Sequence, residues 1–210
     1  MDLKNLTILI ASNNAHKLQE FREIFAQFGA EGVEMFTPKS LGFDLDPEET
    51  ADTYVGNALI KARAFYAALK NPRGLYVMAD DSGLEVDALS GRPGLLSARY
   101  HKAAPNHDGC AALLGEMTAV PDDQRSARFR AVIALVVPSG DENLFEGICE
   151  GGIGYQKRGE GGFGFDPVFK VANDSRHLAE LSAQEKHVIS HRGVAARQVI
   201  AFLQSVRTQI

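Results

Sequence analysis

Two rhythms of apolar and polar positions run along this chain. Leu6-Thr7-Ile8-Leu9-Ile10-Ala11 is an almost unbroken apolar run, the pattern of a buried strand. Directly afterwards Leu18, Phe21, Ile24, Phe25 and Phe28 recur at helical spacing. That predicts an amphipathic helix from Ala15 to Phe28, with Gly29 ending it. Gly32 to Phe36 reads as a short strand. After a polar loop with Pro38 and Pro47, a second helix is predicted over about Asp52 to Leu69. Its apolar face is Val55, Ala58, Leu59, Ala62, Phe65, Tyr66 and Leu69, with Asn57 and Lys61 one turn apart on the opposite face.

Leu75-Tyr76-Val77-Met78 reads as another buried strand, and Leu84 to Leu89 as a further one beyond a Ser-Gly turn. The Gly91-Arg92-Pro93-Gly94 turn closes it. Asn106 to Met117 is predicted helical. Arg128 to Val137 and Leu144 to Gly152 form a strand pair joined by Pro138-Ser139-Gly140-Asp141. A glycine-rich loop, Gly159 to Gly164, precedes two helices. The first carries the capping box Ser182-Ala183-Gln184-Glu185. The second begins near Ser190 and buries Ala195, Val199, Phe202, Leu203 and Val206. Early alternation and late strand pairing together predict an α/β fold with a mixed sheet.

Composition narrows the classes. The 210 residues suit one large domain or two small lobes, with 45% hydrophobic and 23% charged residues. A net charge of −5 argues against a nucleic-acid or acidic-membrane partner, though not against a small anionic ligand. Cys110 and Cys149 are the only cysteines and lie in no CxxC or Cys/His cluster, which fits a reducing compartment. No apolar run reaches the roughly 20 residues that cross a bilayer, and the N-terminal residues lack a signal-peptide layout. The expected location is the cytoplasm.

Four segments carry candidate chemistry. Ala79-Asp80-Asp81-Ser82-Gly83-Leu84 places two carboxylates where the Leu75 strand is expected to end. Such a pair either binds a hard divalent cation and activates water for phosphate hydrolysis, or makes an Asx-type turn. Ser12-Asn13-Asn14-Ala15-His16-Lys17 opens the first helix, whose free N–H groups attract an anion; alternatively Asn14 is only an N-cap and Lys17 a solvated lysine. Glu48-Glu49-Thr50 precedes the second helix, either to satisfy its dipole or to join Asn57 and Lys61 around a metal-bound phosphate. Ser190-His191-Arg192-Gly193, with Lys186 just before it, is a second donor-rich helix start, and Arg192 can bind a phosphate or a ring oxygen bidentately.

Gly159-Glu160-Gly161-Gly162-Phe163-Gly164 matches GxGxxG, but a dinucleotide fingerprint follows the first strand and opens a helix. Here Phe165-Asp166-Pro167 follows, and Pro167 opposes a helix. The loop suits either close approach to a flat ring stacked on an aromatic, or inward-packing phenylalanines. A Walker A sequence is absent.

In that order these elements resemble the inosine triphosphate pyrophosphatase family, the XTP/dITP diphosphatases. The resemblance runs through Ser12-x-Asn14-x-x-Lys17-x-x-Glu20, Glu48-Glu49-Thr50, Asn57-Ala58-x-x-Lys61-Ala62 and Ala79 to Leu84. It continues through Gly91-x-Pro93-Gly94, Ser97-Ala98-Arg99-Tyr100, Gly161 to Pro167 and Ser190 to Gly193, nearly the whole chain. It implies an elongated mixed central sheet flanked by helices, two lobes with a substrate groove between them, a homodimer and Mg²⁺. The implied reaction cleaves ITP, dITP or XTP to monophosphate and pyrophosphate. The implied general base and metal ligand is Asp81, with Glu49 as the second metal-site acid. Substrate contacts are implied for Ser12, Asn13, Asn14, Ala15, His16, Lys17, Ser82 and Lys186, with Lys61 a further phosphate candidate. Phe163, Gly164, Phe165, Asp166, His191 and Arg192 are implied to form the base pocket. One position departs from the pattern: Gly56 stands where the family usually has an acid. Two other classes share these features, a pyrophosphatase for a pyrimidine or methylated nucleotide and a non-catalytic nucleotide sensor.

Overall fold

The computed structural model describes residues 3–69 and 74–207. Its elements run β1 (Thr7–Ile10), α1 (Ala15–Gln27), β2 (Glu34–Phe36), α2 (Tyr54–Ala68), β3 (Leu75–Val86), β4 (Pro93–Gly94) and α3 (Ser97–Ala103). Then follow α4 (Gly109–Glu116), β5 (Ser126–Val136), β6 (Glu142–Ile153), β7 (Phe169–Val171), α5 (Ala183–Ile189) and α6 (His191–Arg207). The seven strands form one sheet in the order β2-β1-β3-β5-β6-β7, with β4 paired to β3. β1 is parallel to β2 and β3, with Thr7 opposite Leu75 and Ile10 opposite Met78. The β3–β4 and β6–β7 pairs are antiparallel, so the sheet is mixed, as the sequence predicts.

The chain divides into two compact units, and the divisions fall inside the long strands, after Asp81, Ala131 and Gly147, and at the start of α6, after Arg192. In the first unit, the two-residue period of a strand sends β1 side chains to two different cores. Ile8 and Ile10 pack with Phe21, Ile24 and Phe25 of α1 and with Ala195, Val199 and Leu203 of α6. Leu9 and Ala11 pack with Ala58, Ala62 and Phe65 of α2. β3 repeats the alternation, Met78 facing the first core while Val77 and Ala79 face the second. Each fully buried side chain of this size contributes about 1.5–3 kcal/mol. The second unit is built on Leu84, Val86, Phe129 and Ile153, covered by Leu113 and Met117 and by Phe165, Val168 and Phe169.

Three predicted elements take another form, and α3, β4 and β7 have no counterpart in the sequence reading. β3 does not stop at Asp81. It runs unbroken through Ser82 and Gly83, because the Leu84 N–H is bound by Ser97 Oγ at 2.9 Å and Leu84 and Glu85 pair with Gly94 and Pro93. Those partners come from later in the chain and override the local turn preference of Ser-Gly. α4 begins at its Asp108 N-cap rather than near Asn106, since Asn106 and His107 both sit at φ +55°. On α2, Val55 is 39% exposed, whereas Asn57 and Lys61 are buried beside Ala58, Ala62 and Phe65. The two polar residues therefore face inward, opposite to the sequence reading.

Candidate active site

The sequence candidates gather into two clusters, one in each unit. The first surrounds β3. Because Asp80 and Asp81 lie within a strand, their carboxylates point to opposite faces of the sheet and cannot act as a chelating pair. Asp80 follows Met78 onto the α1 side, where its carboxylate meets Lys17 Nζ at 2.7 Å with its side chain almost fully buried. Asp81 follows Ala79 onto the α2 side. There Lys61 Nζ donates to Asp81 Oδ1 at 3.1 Å, to Glu49 Oε1 at 2.7 Å and to the Asp80 carbonyl at 2.9 Å.

This arrangement converges two carboxylates and a carbonyl on one ammonium. Burial alone would lower the Lys61 pKa, but the charges of Asp81, Asp80 and Glu49 hold it above the ordinary lysine value. The Asp81 pKa is also raised. Burial is the largest cause, Lys61 opposes it, and Glu49 and Asp80 reinforce it. Neighbouring negative charge raises Lys61 against its burial, whereas burial itself raises Asp81 and the nearby carboxylates only add to it. Asp81 Oδ2 is buried and has no hydrogen-bond partner among the described residues. A bare carboxylate oxygen in such a place is a proton acceptor or a ligand in waiting.

The α1 start completes this cluster. Asn14 is the N-cap, its Oδ1 accepting from the N–H groups of His16 and Lys17 at 2.9 and 3.3 Å. Ser12 Oγ accepts from Asn14 N at 3.2 Å, and Asn13 Oδ1 accepts from Lys39 N at 3.1 Å. Asn13, Asn14, Ala15 and His16 are exposed. The positive end of this helix and the ammonium of Lys17, itself paired with Asp80, provide positive potential for an anion.

The second cluster is organised by Asp166, which is 3% exposed. Its Oδ2 accepts from Phe163 N at 2.8 Å and from Lys186 Nζ at 2.7 Å, a buried ion pair. Gly162 makes this possible: it sits at φ +71°, and a Cβ there would fall 2.0 Å from Asp166 Oδ2. The Phe163 ring lies 5.1 Å from Lys186 Nζ and 5.4 Å from the Arg192 guanidinium carbon, within cation–π range. Arg192 Nη2 donates to Ser82 Oγ at 3.1 Å, and the His191 ring stacks on Phe129 at 4.8 Å between centroids. Gly164 is exposed, and its carbonyl accepts from Cys110 Sγ at 3.2 Å. Phe165 instead turns into the apolar core against Tyr100, so only its backbone is available to a ligand.

Two supports of these clusters act in ways the sequence does not signal, although Asn57 itself is a sequence candidate for a metal-bound phosphate. His177, 3% exposed, places Nδ1 2.6 Å from the Pro167 carbonyl and so backs the Asp166 loop. Asn57 Oδ1 accepts from Ala51 N at 3.0 Å, tying the Glu49 loop to α2. Neither role follows from spacing, since each partner is an irregular backbone group. A cavity of ≈ 510 Å³ near Asp122, Arg125 and Lys170 includes none of the site residues. The Arg125 guanidinium beside it is consumed by the carbonyls of Met117, Val120, Ile153 and Gly154.

The chain matches the model of the Ham1 family over residues 8–202. It is 45% identical over 202 residues to the dITP/XTP pyrophosphatase of Symbiobacterium thermophilum, covering 95% of each chain. It is 44% identical over 189 residues to the dITP/XTP pyrophosphatase of Geobacillus kaustophilus, covering 90% of this chain and 89% of that one. Among solved structures it is similar to the Staphylococcus aureus Ham1 protein, with TM-score 0.79, 38% identity, and 95% and 98% of the two chains covered. It is also similar to the nucleoside-triphosphatase / dITP/XTP pyrophosphatase of Mycobacterium abscessus, with TM-score 0.68, 38% identity, and 94% and 98% covered. The family match over residues 8–202, with relatives 45% and 44% identical along nearly all of the chain, makes this protein a member of the Ham1 family.

Proposed function

We propose that this protein is a Mg²⁺-dependent pyrophosphohydrolase that cleaves deaminated purine nucleoside triphosphates, dITP, XTP and ITP, to the monophosphate and pyrophosphate. The observation that carries the reading is Asp81: one carboxylate oxygen is held by Lys61, and the other is buried without a partner among the described residues. Relatives at 45% and 44% identity named dITP/XTP pyrophosphatase support the substrate class.

The residues present suit a hard divalent cation. Glu49 and Asp81 already converge on one positive charge, and Asp81 Oδ2 is a spare oxygen. No group of three or more histidine, cysteine, aspartate or glutamate side chains converges among the described residues. Mg²⁺ accommodates that, because it takes one or two carboxylates and fills its shell with water and substrate phosphate. When bound, the ion supplies Lewis-acid polarisation of a phosphoryl oxygen.

The chain's own residues do the rest. Lys17 and the N–H groups at the start of α1 hold the triphosphate, and Lys61 neutralises it beside Asp81. Asp81 Oδ2 accepts a proton from water as the water oxygen bonds to the α-phosphorus. The bond from that phosphorus to the bridging oxygen breaks, and pyrophosphate leaves with the bond's electron pair. Donors of Arg192, His191 and Lys186 and the Phe163 ring hold the base. A 6-oxo purine accepts hydrogen bonds from such donors, whereas the 6-amino group of ATP sets donor against donor, a mismatch that can discriminate by about 10⁴–10⁵.

A panel of nucleoside triphosphates with Mg²⁺, scoring pyrophosphate and orthophosphate separately, tests the proposal. We expect pyrophosphate from dITP, XTP and ITP far faster than from ATP, with its 6-amino group, or GTP, whose 2-amino group finds no acceptor or no room, and ¹⁸O from labelled water in the monophosphate. Orthophosphate with a diphosphate product, or equal rates with ATP, would overturn it.

A further inference from the structure

We infer that Asn57 is a positioning residue that holds Glu49 in place, and that Gly56 is what lets it do so. The inference rests on the pyrophosphohydrolase reading above. Glu49 lies in an irregular segment with neither helix nor strand to fix its backbone. Its carboxylate nevertheless reaches Lys61 Nζ at 2.7 Å. The anchor is two residues further on, where Asn57 Oδ1, in a side chain 3% exposed, binds Ala51 N at 3.0 Å. Asn57 and Lys61 stand one turn apart on the same buried face of α2. One helix face thus supplies both the clamp for the loop and the cation that receives Glu49.

Gly56 sets how closely that loop approaches. A Cβ at this position would lie 2.4 Å from Ala51 Cβ and 3.0 Å from Thr53 Oγ1. Any other residue must push Ala51 outward, and with it the N–H that Asn57 grips. Gly56 thus lets a loop pack directly on the helix, and Glu49 arrives from that loop.

The Ala51 amide gives a readout that needs neither metal nor turnover. Hydrogen exchange on the metal-free protein should show Ala51 N–H protected in the wild type and in Asn57→Asp, which keeps the acceptor, but exposed in Asn57→Leu. Gly56→Ala should likewise lose protection and raise the half-activating Mg²⁺ concentration in pyrophosphate release from dITP about 10- to 100-fold. Ala51→Gly combined with Gly56→Ala removes the 2.4 Å clash, leaving only the looser contact with Thr53 Oγ1, and should restore both in large part. A merely structural role would lower thermal stability and leave the Mg²⁺ requirement of the folded protein unchanged. Persistent protection in Asn57→Leu, or an unchanged Mg²⁺ requirement in Gly56→Ala, overturns the inference; if Asn57→Leu does not fold, the Gly56 pair decides it. If the wild type releases no pyrophosphate from dITP, the functional reading fails separately, and exchange at Ala51 still decides whether Asn57 clamps the loop.

Discussion

Asp81 concentrates the argument at the scale of a single residue. Its carboxyl pKa is raised, chiefly by burial, so the folded state favours the protonated form. The sign for stability follows from linkage. The contribution is fully present below the unfolded aspartate value of about 3.9 and is lost as pH rises through the raised folded value. Above the raised folded value the ionised group is thus a cost to stability. Asp81→Asn should fold and lose about 10²–10⁴-fold or more in turnover of dITP. Its melting temperature relative to wild type should be most favourable above the raised folded value, the difference shrinking as pH falls through that value and wild type regains its proton. A folded Asp81→Asn protein with near-normal turnover would remove Asp81 from the role of base.

At the scale of elements, the decisive fact is that β3 runs straight through Asp80-Asp81-Ser82-Gly83. A strand sorts adjacent side chains to opposite faces, so the two acids are assigned to two helices: Asp80 to Lys17 of α1, Asp81 to Lys61 of α2. Across the Gly159 to Gly164 loop the element is a turn whose form depends on Gly162 at φ +71°. Gly162→Ala should cost at least about 1–2 kcal/mol from the left-handed backbone alone. It should also dislodge Asp166 from Phe163 N and Lys186, so KM for dITP should rise more than kcat falls. Steady-state kinetics together with urea unfolding checks both halves. An unchanged KM would show that the loop does not hold the base.

At the scale of the whole molecule, the two cysteines report on packing. Cys110 and Cys149 are both buried in the core of the second unit, and burial pushes each thiol up to about 11. Since only the thiolate reacts, both should remain neutral and resist iodoacetamide at pH 8 in the native protein. Alkylation should proceed at the rate of unfolding and become rapid in denaturant. Fast modification of either cysteine under native conditions would mean that this core opens locally.

What the sequence determined by itself was whatever depends on local periodicity and on chemistry carried by neighbouring residues. The helix from Ala15, its Asn14 cap, the Ser182 capping box, the hairpin at Pro138 to Asp141 and the α/β class all follow from short-range rules. Asp81 stood out beside an apolar strand, and Glu49, Lys17 and Arg192 stood out as charges placed at helix starts. What only the tertiary structure decided was which groups share a partner. That β3 continues past Asp81 depends on Ser97 and Gly94, and that Asn57 and Lys61 face inward depends on Ala51, Glu49 and Asp81. A buried polar side chain looks solvated in the sequence whenever its partner is a backbone group or an acid on a distant segment. Desolvation penalises such groups only until those partners arrive, and folding alone brings them together.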